Sequence, residues 1–385
     1  MKREKQKYNP SVTNGWKRFG AYLADVVFFI IISFTLYSFA LFPLTKVITK
    51  YDEYTLNANQ AYEDTKKMTK DSKLLLYDAD GSELPLTNTF STDLTYFLDE
   101  DFKDEEGKYK EHFAYFYIEY MSKEVTVNNE KPNYNIAWVN QNVFLNNDET
   151  NLLFEVASTD EIVHLKADAK TNLTAYKQND ITAKSQEYYD AFINMMQKSW
   201  DSASNALIST DQYTVYSDIY KNNTSKMMYI YTFSSIITYT VLFFLYYLLV
   251  PALFKQRQTF AKKILGIGVF DNMNKPINIK TLIFRSILLY IFNFYLVMFI
   301  PFFILGPDVL VMPLFSIGGT IFYLFTLALV TFAFAIASSV VMGTNINHQS
   351  IHDLILKTYV LIENPNEIDP ATGEAKVFEE DKQWK

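Results

Sequence analysis

Arg18 and Asp25 stand seven residues apart at the head of a long apolar run. On a helix that spacing puts both on one face, with roughly 10 Å of rise between them. A carboxylate inside an apolar span costs on the order of 2.5 to 3.5 kcal/mol on insertion scales, so Asp25 requires a partner or a wet cavity. Two chemistries meet that need, a structural ion pair with Arg18 or a site that exchanges protons or cations. His348 and His352 form a second pair, one helical turn apart. That spacing could ligate a metal, yet only Asp353 stands near as a third ligand, and no metal site is expected. His112 and His164 stand outside any ligand spacing. No phosphate-binding Gly-rich loop, His-Glu-x-x-His or Gly-x-Ser-x-Gly occurs, and the chain has no cysteine. Disulfides, thiolate metal sites and cysteine nucleophiles are thereby excluded. The expectation is a non-enzymatic protein without a cofactor.

The elements that must position these residues are membrane-length apolar runs. The near-neutral mean hydropathy averages those runs with an ordinary polar region, so it is no sign of solubility. Four spans are expected, at residues 19–44, 227–254, 283–305 and 318–342. The first run is too long for a signal peptide, although Ser38-Phe39-Ala40 comes near a cleavage pattern. The second has hydroxyls at Ser234, Ser235, Thr238 and Thr240 but no charge, which suits helix packing and leaves a lined pathway open. The third opens with Arg285 and is closed by Pro301, Gly306 and Pro307. Residues 306–317, with Pro313, are expected to form an outer connector, interfacial or re-entrant.

Charge orients the spans. Residues 1–18 hold six Lys or Arg against one acid, and residues 255–281 again six against one. By the positive-inside rule the segments 1–18, 255–282 and 343–385 are expected in the cytoplasm and both termini inside a cell membrane. The stretch 45–226 is then extracellular. Its residues 51–225 hold 31 acids, 15 lysines and no arginine.

This insert is long enough to build its own core. An α+β domain is expected, with strands at Lys73 to Tyr77 and Tyr134 to Phe144 and helices at Phe113 to Met121 and Thr182 to Leu207. Asp78 to Glu83 resembles the opening of a calcium loop, but no register places Gly81 sixth and a Glu twelfth, so a tight turn is expected. The acidic cluster from Asp99 to Glu106 is a solvated loop or a cation-attracting surface.

Three segments carry a family resemblance. Arg18-Phe-Gly-Ala-Tyr-Leu-Ala-Asp25, Ala261-Lys-Lys-Ile-Leu-Gly-Ile-Gly-Val-Phe-Asp271, and His352-Asp353 with Thr358 together resemble the RDD family of membrane proteins. The resemblance covers residues 16–50 and 227–362 and leaves the insert unexplained. Carried over by motif, the one arginine and two aspartates that name the family are Arg18, Asp25 and Asp353, and Arg285 matches the basic residue opening the span after the loop. Ala261-Lys262 and Lys357-Thr358 depart from the usual Gly-Lys and Gly-Thr. The resemblance implies transport of a small solute or cation/proton exchange, with Arg18, Asp25, Asp353 and Arg285 as binding residues. The alternative is a non-transporting module whose extracellular domain binds a protein or envelope ligand. The lipid bilayer is the expected partner, a homo-oligomer and an outer-face ligand or membrane partner remain open, and nucleic acid is not expected.

Overall fold

The computed structural model describes residues 12–156, 161–298, 302, 311–317 and 320–362. The chain divides into two compact units, one of residues 1–52 and 226–385, the other Glu53–Ser225.

In the first unit, helix α1 (Gly15–Leu36) starts where the Asn14 side chain accepts the Trp16 amide at 2.9 Å, capping one of the free N–H groups. It continues through a π turn, Tyr37–Leu41, into α2 (Phe42–Thr49). Among the described residues, three helical stretches are long and apolar enough to cross a membrane: Gly15–Thr49, Asp211–Leu253 and Leu324–Thr344. The second comprises α3 (Asp211–Phe244), a π turn at Leu245–Leu249 and α4 (Val250–Leu253). Large side chains such as Ile31, Ile237, Leu329 and Val340 stay exposed on these helices, as a surface meant for lipid requires.

The remaining expected span is only partly described. Helix α5 (Ile279–Phe292) ends at Asn293 and gives way to a 3₁₀ segment, Phe294–Met298, while most of residues 299–310 lie outside the described residues. The last span differs from expectation. Its helix, α6 (Leu324–Thr344), begins at Leu324 rather than Gly318, because Thr320–Tyr323 pairs antiparallel with Pro313–Ile317. The run Thr320-Ile321-Phe322-Tyr323 is strand-forming in composition and follows two glycines, Gly318 and Gly319.

A small sheet ties distant segments of this unit together. Strand β1 (Ile267–Phe270) pairs antiparallel with β2 (Tyr359–Ile362), and Val12 bridges to Leu361 on the other side. Gly268 permits it, since a Cβ there would sit 2.9 Å from the Gln256 carbonyl oxygen.

Among the described residues of the second unit, helices joined by turns and isolated bridges predominate, and one ladder of two residues on each side is present, Phe154–Glu155 with His164–Leu165. The strand expected at Lys73 to Tyr77 is absent; Tyr77 makes only an isolated bridge to Glu83 across a turn where Gly81 has φ +80° and Asp78 Oδ1 accepts the Asp80 and Ser82 amides. Tyr134 to Phe144 is a helical turn, Ile136–Val139, followed by a π segment, Asn140–Leu145. Its buried residues Val139, Val143 and Phe144 recur at helical spacing, which outweighs the β preference of its aromatics. The expected helices are present as Ala183–Ile208 and as His112–Ala114 running into Tyr115–Met121. In the core of this unit the Phe97 ring lies 5.1 to 6.3 Å from those of Phe102, Phe144, Phe154 and Phe192. The fully buried rings among them, Phe97, Phe144, Phe154 and Phe192, each contribute on the order of 1.5 to 3 kcal/mol by leaving water. The acidic cluster is partly neutralised, with Glu100 on Lys170 at 2.6 Å and Asp101 on Lys110 at 2.7 Å.

Candidate functional site

Arg18, Asp25, Arg285 and Asp353 all lie buried within the first unit, but not in the pairing the helical spacing suggests. The rise between Arg18 and Asp25 leaves each to find its partner elsewhere. Arg18 Nη2 reaches Asp353 Oδ2 at 2.5 Å, and its Nη1 donates to the His348 carbonyl. Arg285 approaches the same carboxylate from α5, with Nε and Nη2 donating to Oδ1 at 3.1 and 3.0 Å. Ser350 and Thr358 complete the shell, donating to Oδ2 at 2.8 Å and to Oδ1 at 2.9 Å. Asp353 thus sits in the first turn of a short helix, Ile351–Leu356, with both carboxylate oxygens multiply bonded. Burial by itself would raise its carboxyl, but Arg285 and Arg18 outweigh that and hold it well below the usual range, so it stays ionised.

Asp25 is held by a different set. Tyr246 donates to Oδ1 at 2.8 Å from the π turn, Thr259 donates to Oδ2 at 2.5 Å, and Lys262 Nζ lies 3.3 Å from Oδ2. Thr259 and Lys262 come from the segment that leads into β1, so the small sheet carries Asp25's partners to α1. Burial lowers the Lys262 ammonium below the ordinary lysine value, against the opposing pull of Asp25. His352, whose Nε2 is 3.2 Å from Arg285 Nη2, is pushed down to about 3 by burial, against Asp353 and with help from Arg285, and is therefore neutral near pH 7.

These groups face a cavity of about 90 Å³. Arg18, Asp25, Lys262, Arg285 and His352 line it, with Tyr22 and Asn293 on its apolar side. Tyr22 donates to Asn293 Oδ1 at 2.5 Å. Asp353 stands behind the two guanidiniums rather than on the cavity wall, although their shared contacts make it part of the cluster.

Helical spacing alone does not reveal Lys262 as the partner of Asp25, nor the roles of Tyr246, Thr259 and Ser350. A signal existed for two of the shell residues, since Lys262 and Thr358 fall inside the segments that carry the family resemblance. His348 does not join His352 in a shared site; it lies ahead of the short helix with φ 48°, and its backbone carbonyl is what Arg18 uses.

Arg285, His352 and Asp353 fall inside the match to known families, whereas Arg18 and Asp25 precede it. No curated protein and no solved structure matches the chain. Residues 204–357 match the model of the RDD family, and the chain therefore carries an RDD family domain over that stretch.

Proposed function

We propose that the first unit moves a small ion or solute across a membrane, with Asp25 and Lys262 as its exchanging pair and Arg18, Arg285 and Asp353 as the frame that holds them. The observation that carries this reading is the cavity. A charge cluster that serves only packing closes on itself, as Asp353 does, but Asp25, Lys262 and Arg285 face unfilled space. A buried lysine beside a carboxylate can pass its proton when a cation or a second proton arrives, because the two compete for one negative charge. The division of labour revises the expectation for Asp353: a carboxylate closed in by five donated hydrogen bonds is a pin, and the mobile proton belongs to the other pair. The test is flux in proteoliposomes with and without a pH gradient. Asp25→Asn should abolish it at unchanged expression, and equal flux in wild type and variant would remove Asp25 from the mechanism.

The basic excess of the segments flanking the spans supports cytoplasmic termini and an insert on the outer face of a cell membrane. With no native cysteine, Asn146→Cys should react with an impermeant thiol reagent on intact cells and Asn272→Cys should not. Labelling at Asn272 from outside would reverse the orientation.

A second reading draws on the insert. It bears an open groove of about 690 Å³ lined by Lys70, Asp71, Lys73, Tyr115, Glu124 and Tyr216 among others, which supports a module that binds an outer-face ligand. Wild-type flux of zero in both gradients would favour it.

A further inference from the structure

On α1 the buried positions Arg18, Asp25, Phe29, Ser33 and the following Tyr37 fall in one row, spaced by seven and then by repeated fours. The helix that begins at Asp211 runs antiparallel beside that row. Tyr246 bonds Asp25, the Tyr239 ring lies 4.7 Å from Phe29, and the Tyr231 ring lies 5.5 Å from Tyr37. Depth along the pair is therefore ordered from the charged cavity at Asp25, past Phe29, to Ser33 and then Tyr37.

Three hydroxyls along this seam, Ser33 Oγ, Thr232 Oγ1 and Tyr239 OH, are buried and have no hydrogen-bond partner among the described residues. Their neighbours behave differently. Ser234, Ser235 and Thr240 bond back to carbonyls one turn earlier, and Tyr37 pairs with Ser234 at 2.8 Å. Back-bonding is the ordinary solution for Ser and Thr in an apolar helix, so Ser33 and Thr232 forgo a bond that was within reach. A buried hydroxyl without a partner is costly, and three in succession along one helix pair mark a place where something else completes them.

We infer that this row is a hydrated route joining the cavity to the far end of the helix pair, closed at Phe29 in this conformation. Phe29 sits one turn beyond Asp25 and is packed by the rings of Tyr239, Phe243, Tyr246 and Tyr247 at 4.7 to 6.0 Å, an apolar plug between charged and hydroxylic stretches. The row holds hydroxyls and no charged side chain past Asp25, and aromatic rings narrow it, so it suits water with a proton or a small cation and excludes bulky solutes. This inference rests on the transport reading of the cavity and names the path that feeds it. Both π turns lie on the same seam, Tyr37 opening one and Tyr246 and Tyr247 falling in the other, and such turns supply the local freedom that moving a plug requires.

The test uses the full chain in membranes, with single cysteines free of background. Ser33→Cys and Thr232→Cys should react with a small cationic methanethiosulfonate at least tenfold faster than Ile237→Cys, which is 63% exposed on the lipid side. Equal, slow rates at all three positions overturn the route. With reagent enclosed on the cavity side of vesicles, adding Phe29→Ala should speed modification of Ser33→Cys at least tenfold, and no change overturns the closure. A measurement that needs no cysteine is the melting temperature of Ser33→Ala and Thr232→Val. Dry, unpaired hydroxyls predict a rise on removal, whereas hydrated ones predict none, so a rise of several degrees in both sinks the proposal. None of these readouts uses flux, so cysteine reactivity in a protein without flux supports the route while removing the transport reading.

Discussion

Lys262, not Arg18, neutralises Asp25: its Nζ lies 3.3 Å from Oδ2, while Arg18 is spent on Asp353 at 2.5 Å. Two charge pairs that a helical wheel would merge into one are therefore separate, and they should respond separately to substitution.

Double-mutant cycles in the melting temperature of the purified protein test that separation. Arg18→Gln with Asp353→Asn should be non-additive by at least about 1 kcal/mol, whereas Arg18→Gln with Asp25→Asn should add to within about 0.5 kcal/mol. Asp353→Asn alone should be the most damaging single change, by roughly 3 to 5 kcal/mol, because it strands two buried guanidiniums. Coupling between Arg18 and Asp25 as large as that between Arg18 and Asp353 would contradict the pairing.

Acid should loosen the first unit through His352. Its folded value of about 3 lies below the ordinary histidine value of 6.5, so the unfolded chain binds more protons between the two. Stability therefore rises with pH across that window and is lost as pH falls from 6.5, by up to about 1.4 kcal/mol per unit. Melting at pH 7.5 and pH 5 should show the loss, and His352→Gln should flatten it. An unchanged slope in that variant would mean other groups carry the acid sensitivity.

The insert should show the opposite slope. Glu111 is buried beside Asp93, and burial followed by that neighbour's charge pushes its carboxyl well above the usual range. A raised acid stabilises most below its unfolded value and loses that contribution as pH climbs through the folded one. Residues 53–225 expressed alone should therefore fold cooperatively, melt higher at pH 5 than at pH 8, and lose most of that difference in Glu111→Gln. The amide keeps an acceptor for the Ala114 amide now held at 2.7 Å. An insert that stays unfolded by circular dichroism would show that it depends on the membrane helices.

Gly268→Ala should cost several kcal/mol or block folding of the first unit, since the added Cβ meets both the Gln256 carbonyl and the Phe270 ring below 3.0 Å. A melting temperature within two degrees of wild type, roughly the margin for a neutral change, would mean the small sheet shifts without loss.

The apolar spans were legible because membrane length and hydropathy are properties of the chain alone, and three of them fold as helices of spanning length. Where the last span begins was not, since Thr320 to Tyr323 is as apolar as a helix end and only its pairing with Pro313–Ile317 makes it a strand. The residues of the charge cluster could be named from type and position. Their partners could not, because Arg18 meets Asp353 across 335 residues and Lys262 meets Asp25 across 237. In the insert, aromatic and β-branched residues around Trp138 argued for a strand, yet the burial of Val139, Val143 and Phe144 follows the helical period.

The distance along the chain between Arg18 and Asp353 has a consequence for biosynthesis. Helix α1 leaves the ribosome with its arginine in place, but the aspartate that neutralises it is made 335 residues later. At about 5 to 20 residues per second that interval is roughly 17 to 67 s. Through it α1 must wait in the membrane or at the translocon with its arginine uncompensated. The native bundle can lock only once residues 350–358 have been made. A chain truncated before Ser350 would carry every spanning helix described here and still lack the group that fastens them, which makes the appearance of Asp353 the moment at which quality control can tell a lockable bundle from an abandoned one.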